Sequence, residues 1–334
     1  MDVNGAPTPG GRSRARWPAR SRVPLLWLLV ALLVSAPLLW AALHSEQADA
    51  DLDQGALAIS PCGLRGTSTP PGYRHVIWIW MENHSYGQII NSGHAPFENE
   101  LAQVCGLATD YHGVTHPTLP NYLAATSGST YGIHTDAGPG LPSTTAAPSL
   151  FGEIRSSGQQ WRTFAESMPG SCRPLGRHGD ARNPAAYYRD ARTMCSRWDV
   201  PMGTPTSGPL ASALRHDRLP AFSLIIPDLC HSTHARRCGV DGGDAWLSRL
   251  ITTMVRSRAY RGGDTAIFLT WDEGSRGHGQ HIPLIVVSPT TGRGTVVAAR
   301  YDHYSLLRTT AELLHVRPLG KAASAPSMRS AFGL

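Results

Sequence analysis

Apolar residues in this chain gather in short unbroken runs from residue 75 onward. The segments 75–81 (HVIWIWM), 161–165, 221–226, 266–271 and 283–288 have the length and the aromatic or β-branched content of strands buried on both faces. Between them the spacing of apolar positions predicts helices over 97–104, 121–127, 149–156, 244–258 and 305–314, with Asp244 and Asp302 as N-caps of the last two. Strands alternating with helices predict an α/β fold with a largely parallel sheet. Residues 168–218, rich in Arg, Pro and Gly, read as an irregular insertion, and no internal repeat is visible.

A different pattern occupies the N-terminus. Residues 1–22 form an Arg-rich stretch, and 23–43 (VPLLWLLVALLVSAPLLWAAL) are 21 residues without a charge. As a helix this segment spans about 30 Å, enough for a bilayer core. Basic residues before it and acidic ones after it orient the N-terminus inward. Two outcomes stay open: a retained single-pass anchor with the rest of the chain outside the cell membrane, or a signal segment cleaved near 48–50, giving a secreted protein. Residues 44–74 read as a linker, followed by a folded domain over 75–334.

The formal charge of +6 in 334 residues invites a nucleic-acid reading. Residues 1–44, however, hold five Arg against one Asp, so +4 of that charge belongs to the address and only +2 to the rest. With no basic run or recognised binding motif in the exported part, no nucleic-acid partner is expected. Six cysteines (62, 105, 172, 195, 230 and 238) in an exported chain imply disulfides, and pairing of sequence neighbours is expected: 62–105, 172–195 and 230–238.

Chemistry concentrates where predicted strands end. The first strand runs into Glu82-Asn83-His84-Ser85, and the fourth into Asp272-Glu273-Gly274. Ligands of open α/β sheets bind beyond the carboxyl ends of strands. Carboxylates and an Asn carbonyl there make a hard oxygen site for a divalent cation, although acids in such positions also cap helices or pair with Arg. In Thr115-His116-Pro117-Thr118-Leu119-Pro120-Asn121, Thr118 stands at a helix start, where free N–H groups favour phosphate and where a metal-activated hydroxyl becomes a nucleophile. A plain N-cap is the structural alternative. His231 and His234 follow a predicted strand, where an imidazole can protonate a leaving alkoxide. Nucleophile-elbow, P-loop and dinucleotide-binding motifs are absent from the sequence.

As a set, MENHSYGQII, THPTLPNYLAATSG, IIPDLCHSTH with GDAWL, LTWDEG with IPLIVVSP, and YDHYSLLRT resemble the bacterial phosphoesterase family of secreted acid phosphatases and phospholipases C. Within it the chain is most similar to short exported acid phosphatases that include phosphatidylinositol 3-phosphate phosphatases. The resemblance implies an alkaline-phosphatase-like three-layer sandwich with helices on both faces of a largely parallel sheet. It implies a metal-dependent phosphomonoesterase working through a phospho-enzyme. A phospholipase C-type phosphodiesterase is the nearest alternative, and a non-catalytic, membrane-tethered binding protein the alternative of another class. By position, Glu82, Asn83, Thr118, Asp272 and Glu273 would ligate a divalent cation (Mg, Ca, Mn or Zn). Thr118 would be the nucleophile and His234 a second catalytic residue, with Asn121, His116, Arg182 and His303 lining the substrate pocket. The substrate would be a phosphorylated small molecule or a phosphoinositide head group, with the membrane met through 23–43. Two departures touch the pocket: Arg182 precedes Asn183-Pro184 where the family often has His, so Arg182 or His178 would substitute, and the acids flanking His234 are replaced by Ser232 and Ala235.

Overall fold

The computed structural model describes residues 60–64, 68–139, 144, 146–176 and 180–334. The 1–22 stretch, the 23–43 segment, most of the expected linker and His178 lie outside the described residues. Among the described residues no helix is long and apolar enough to cross a membrane.

The described residues form ten strands, in chain order: β1 (His75–Met81), β2 (Gly106–Ala108), β3 (Tyr111–His112), β4 (Trp161–Ala165), β5 (Asp199–Pro201), β6 (Phe222–Ile226), β7 (Thr265–Trp271), β8 (Leu284–Val287), β9 (Thr295–Val297) and β10 (Tyr301–Asp302). Eight of them form one sheet in the order β5-β4-β6-β1-β7-β8-β2-β9, and β10 pairs with β3 in a small second sheet. In the large sheet only β8 runs against its neighbours. The helices are α1 (Tyr86–Ile89), α2 (Pro96–Val104), α3 (Thr118–Ser127), α4 (Leu150–Ser156), α5 (Arg189–Arg192), α6 (Cys195–Trp198), α7 (Pro209–Arg215), α8 (Gly239–Val255), α9 (Arg258–Arg261) and α10 (His303–Leu313).

Strand β1 is central, paired with β6 on one side and with β7 along its whole length on the other. All seven of its residues are buried. Successive strand side chains point to opposite faces. Accordingly Trp78 donates its indole N–H to Thr310 of α10 and Trp80 packs on Tyr122 of α3 and His303, while Met81 lies against Gly243 of α8. Helices thus cover both faces, as the apolar-throughout composition of the strand requires. Each large side chain so buried contributes roughly 1.5–3 kcal/mol.

The long predicted elements are present, with shifted ends. Helix α3 begins at Thr118 rather than at 121, and α8 begins at Gly239 rather than at 244. Asp244 therefore caps nothing of its own: it lies inside α8 and accepts from the backbone N–H groups of Phe97 and Glu98, closing the start of α2 instead. Asp302 does cap α10, accepting from the N–H of Ser305. Within 168–218 the chain forms edge strand β5 and helices α5 to α7, so that stretch is less irregular than its composition suggests. Cys62 and Tyr73, in the expected linker, are buried, and the core reaches back to Cys62. The bridges Cys62–Cys105, Cys172–Cys195 and Cys230–Cys238 all form.

Candidate active site

Because β1, β4, β6 and β7 are parallel, the segments that follow them emerge at one edge of the sheet. Glu82 and Asn83 leave β1, and Asp272 and Glu273 leave β7. The Asn83 N–H donates to Asp272 Oδ1 at 3.1 Å, and the Asp272 N–H to the Met81 carbonyl at 3.0 Å, so the two ends are laced together. Asn83 holds φ at 51°, a left-handed conformation that Asn tolerates better than most residues. Thr118, the first residue of α3 and only 7% exposed, lies close enough to Asp272 for its side chain to favour the ionised carboxylate. The structure therefore brings Glu82, Asn83, Thr118, Asp272 and Glu273 into one cluster.

The electrostatics of this cluster are unbalanced. Asp272 has no exposed surface, and burial, with the charges of Glu82 and Glu273 beside it, pushes its carboxyl well above the usual range. Glu273 is raised to about 8, first by burial and then by Glu82 and Asp136, with Arg276 opposing. Glu82 Oε1, Asn83 Oδ1 and Asp272 Oδ2 are buried without a hydrogen-bond partner. Converging orphaned oxygens, carboxylate and amide, are the donor set a hard divalent cation takes. The residues present fit such an ion.

Around the cluster, His234 Nδ1 stands 3.5 Å from Glu82 Oε2, and Arg182 Nε 3.9 Å from Glu82 Oε1. Arg182 is buried and also donates to the Pro227 carbonyl. His116 Nδ1 lies 3.0 Å from Glu273 Oε2. His116, Arg182 and His234 are thus all brought to the carboxylates. Two expected pocket residues are placed differently. Asn121 is fully buried: its amide nitrogen donates to the carbonyls of Thr115 and Pro117 and to Glu273, and its oxygen accepts from the N–H groups of Val114 and Thr115. His303 does not line the pocket. It stacks on Trp80 with both ring nitrogens engaged, by the Asp272 carbonyl and the Tyr111 hydroxyl, and burial lowers it to about 4.

Several contributors, His231 apart, were not singled out by the sequence. Asp136, in a loop, accepts from the Leu119 N–H at 2.8 Å, so a carboxylate already sits at the start of α3. Thr233, in a left-handed conformation with φ 71°, donates to the Glu82 carbonyl. Glu166, Asp228 and His231, at the ends of β4 and β6, offer ligand atoms within 4.8 Å of one another. Their oxygens are already hydrogen-bonded, by His231 and Trp246, by backbone N–H groups and by Ser167. This second cluster braces the loop that carries His234.

Known proteins resemble this chain in sequence and in fold. The chain is 27% identical over 283 residues to the phosphatidylinositol-3-phosphatase of Mycobacterium tuberculosis, covering 83% of this chain and 88% of that one. It is 26% identical over 261 residues to the phosphate-repressible acid phosphatase of Penicillium chrysogenum, covering 73% of this chain but only 59% of that longer protein. Among solved structures it resembles a protein in the alkaline phosphatase superfamily from Vibrio parahaemolyticus, with a TM-score of 0.54 and 13% identity over 80% of this chain and 73% of that one. It also resembles the lipoteichoic acid synthase LtaP from Listeria monocytogenes, with a TM-score of 0.53 and 9% identity over 82% and 80%. At such identities the structures attest the fold alone. Residues 89–317 match the profile of the Phosphoesterase family, and the chain belongs to that family, whose members hydrolyse phosphoric esters.

Proposed function

We propose that the chain is a metal-dependent phosphomonoesterase with Thr118 as its nucleophile. The observation that carries this reading is Thr118, at the start of α3, standing beside a buried Asp272 that has one oxygen orphaned, as do Glu82 and Asn83. Glu82, Asn83, Thr118, Asp272 and Glu273 would hold the divalent cation, which supplies Lewis acidity and makes the bound hydroxyl easier to ionise. Asp272 takes the Thr118 proton, and Oγ1 forms a bond to phosphorus as the bond to the leaving oxygen breaks. His234 protonates that oxygen as it departs. Water then cleaves the phosphothreonine, releasing inorganic phosphate and restoring the hydroxyl. Arg182 binds a phosphoryl oxygen. Asn121, with its amide engaged by the 114–118 loop, positions Thr118 rather than touching substrate. The Mycobacterium tuberculosis relative supports a phosphoinositide head group as substrate, and the Arg-rich 1–22 stretch with the apolar 23–43 segment supports export, by anchor or by cleaved signal.

Turnover of p-nitrophenyl phosphate by residues 60–334, with p-nitrophenyl phosphorylcholine as the diester control, tests the reading. The monoester is expected to be the better substrate. Thr118→Ala should lower kcat by at least about 1,000-fold with an unchanged circular-dichroism spectrum, and Thr118→Ser should restore part of it. Retention of more than a few per cent activity in Thr118→Ala overturns the nucleophile assignment.

A further inference from the structure

A cavity of about 560 Å³ opens beside the catalytic cluster, lined among others by Asn83, His84, Thr233, His234, Arg236 and Arg276. Asn83 and His234 tie it to the site described above. The remaining lining residues add no Asp or Glu, so its walls are cationic or neutral. The two guanidiniums come from different segments: Arg236 from the loop after β6, closed by Cys230–Cys238, and Arg276 from the loop after β7. Among the described residues neither is paired with a carboxylate. Arg276 is near enough to the catalytic residues to lower both Glu273 and His116. Both arginines are exposed, so water screens them from each other, and an anion held between them would be attracted by both.

The reactive phosphoryl group is already met by the five-residue cluster, Arg182 and His234. A second pair of cations on the same cavity has no part in that chemistry. We infer that Arg236 and Arg276 form a subsite for a second anionic ester on the substrate, selecting phosphomonoesters of a small polyol that carries another phosphate ester nearby. The cavity is large enough for a sugar- or inositol-sized ring between the two groups. The inference rests on the phosphomonoesterase reading and narrows its substrate. The second ester can be a free phosphate or the bridging phosphodiester of a lipid head group, since both present anionic oxygens to a guanidinium fork.

The test compares inositol 1,3-bisphosphate with inositol 3-phosphate, in wild type, Arg236→Gln, Arg276→Gln and the double variant. Wild type should favour the bisphosphate in kcat/KM, and the preference should fall about tenfold for each guanidinium removed, chiefly through KM. A parallel arm with dibutanoyl phosphatidylinositol 3-phosphate separates the sources. A loss confined to the bisphosphate identifies a free phosphate as the ligand, and a matching loss on the lipid identifies the bridging diester. Calorimetric binding of both inositol phosphates to Thr118→Ala, with and without the arginine substitutions, reads the subsite without turnover. A preference unchanged within about twofold in the double variant, by either readout, overturns the subsite. If wild type hydrolyses neither compound but the calorimetric preference still falls, the catalytic reading fails and the subsite stands.

Discussion

Glu98 is fully buried beside Asp244, and burial first, then that neighbouring charge, holds its carboxyl well above the usual range. The folded state therefore binds this proton more tightly than the unfolded chain, whose Glu titrates near ~4.3. Stability from this group is greatest below that pH and declines as pH rises above it. Glu98→Gln should raise the melting temperature at pH 8 by roughly 2–6 °C and leave it nearly unchanged at pH 4, as scanning calorimetry at both values would show. Equal shifts at the two pH values would mean that charge is not the cause. At this scale the sequence was informative about which residues meet and less so about where they point. Acids following apolar runs, and a Thr between two prolines, announced Glu82, Asp272, Glu273 and Thr118. Asn121 and His303 occupy recognisable motifs too, but position in a motif does not say that the Asn121 amide turns back on its own loop or that His303 turns behind the Asp272 carbonyl. Asp136, Arg236 and Arg276 sit in loops with no periodicity, and only the folded chain shows what they face.

At the scale of elements, Gly128 ends α3 with φ at 76°, its N–H donating to the Ala124 carbonyl. A Cβ there would lie 2.0 Å from the Leu319 carbonyl oxygen, so backbone would have to move. Gly128→Ala should cost about 2–4 kcal/mol of unfolding free energy by urea titration, from left-handed strain together with overpacking. Since α3 presents Thr118, activity should fall with it even where the variant remains folded. The strands that hold the sheet together were legible because burial on both faces leaves an unbroken apolar run, as in HVIWIWM and TAIFLTW. β2, β3, β5, β9 and β10, of two or three residues each, were not, because so short a segment has no period to detect. The start of α8 was hidden for another reason. Its first turns contain Gly239, Gly242 and Gly243, poor helix formers kept in place by tertiary packing, including that of Gly243 against Met81 and Thr233.

For the molecule as a whole, folding gathers three carboxylates at one sheet edge, so it is coupled to anything that binds them. A cation that binds only the folded chain stabilises it by about 2.7 kcal/mol at a hundred times its dissociation constant. Cation and protons compete for the same oxygens. Chelation should therefore lower the melting temperature at pH 8, at or above the raised value of Glu273, and have little effect at pH 4, where both Asp272 and Glu273 carry protons. Asp272→Asn should abolish the difference made by chelator at pH 8, and atomic absorption after dialysis should find less metal in it. If wild type melts at the same temperature with and without chelator at both pH values, the cation site is refuted independently of any enzyme assay.

The Cys230–Cys238 bridge closes the loop that carries both His234 and Arg236. Reduction would free a segment on which the proposed leaving-group acid and half of the proposed second anion subsite depend, while β1, β7 and α3 would still present Thr118 and the carboxylates. Such an enzyme would be assembled yet idle wherever thiols stay reduced, and would become competent on reaching oxidising surroundings. For a chain exported as proposed, the cystine would then act as a geographical safeguard, sparing the cell's own phosphate esters during synthesis.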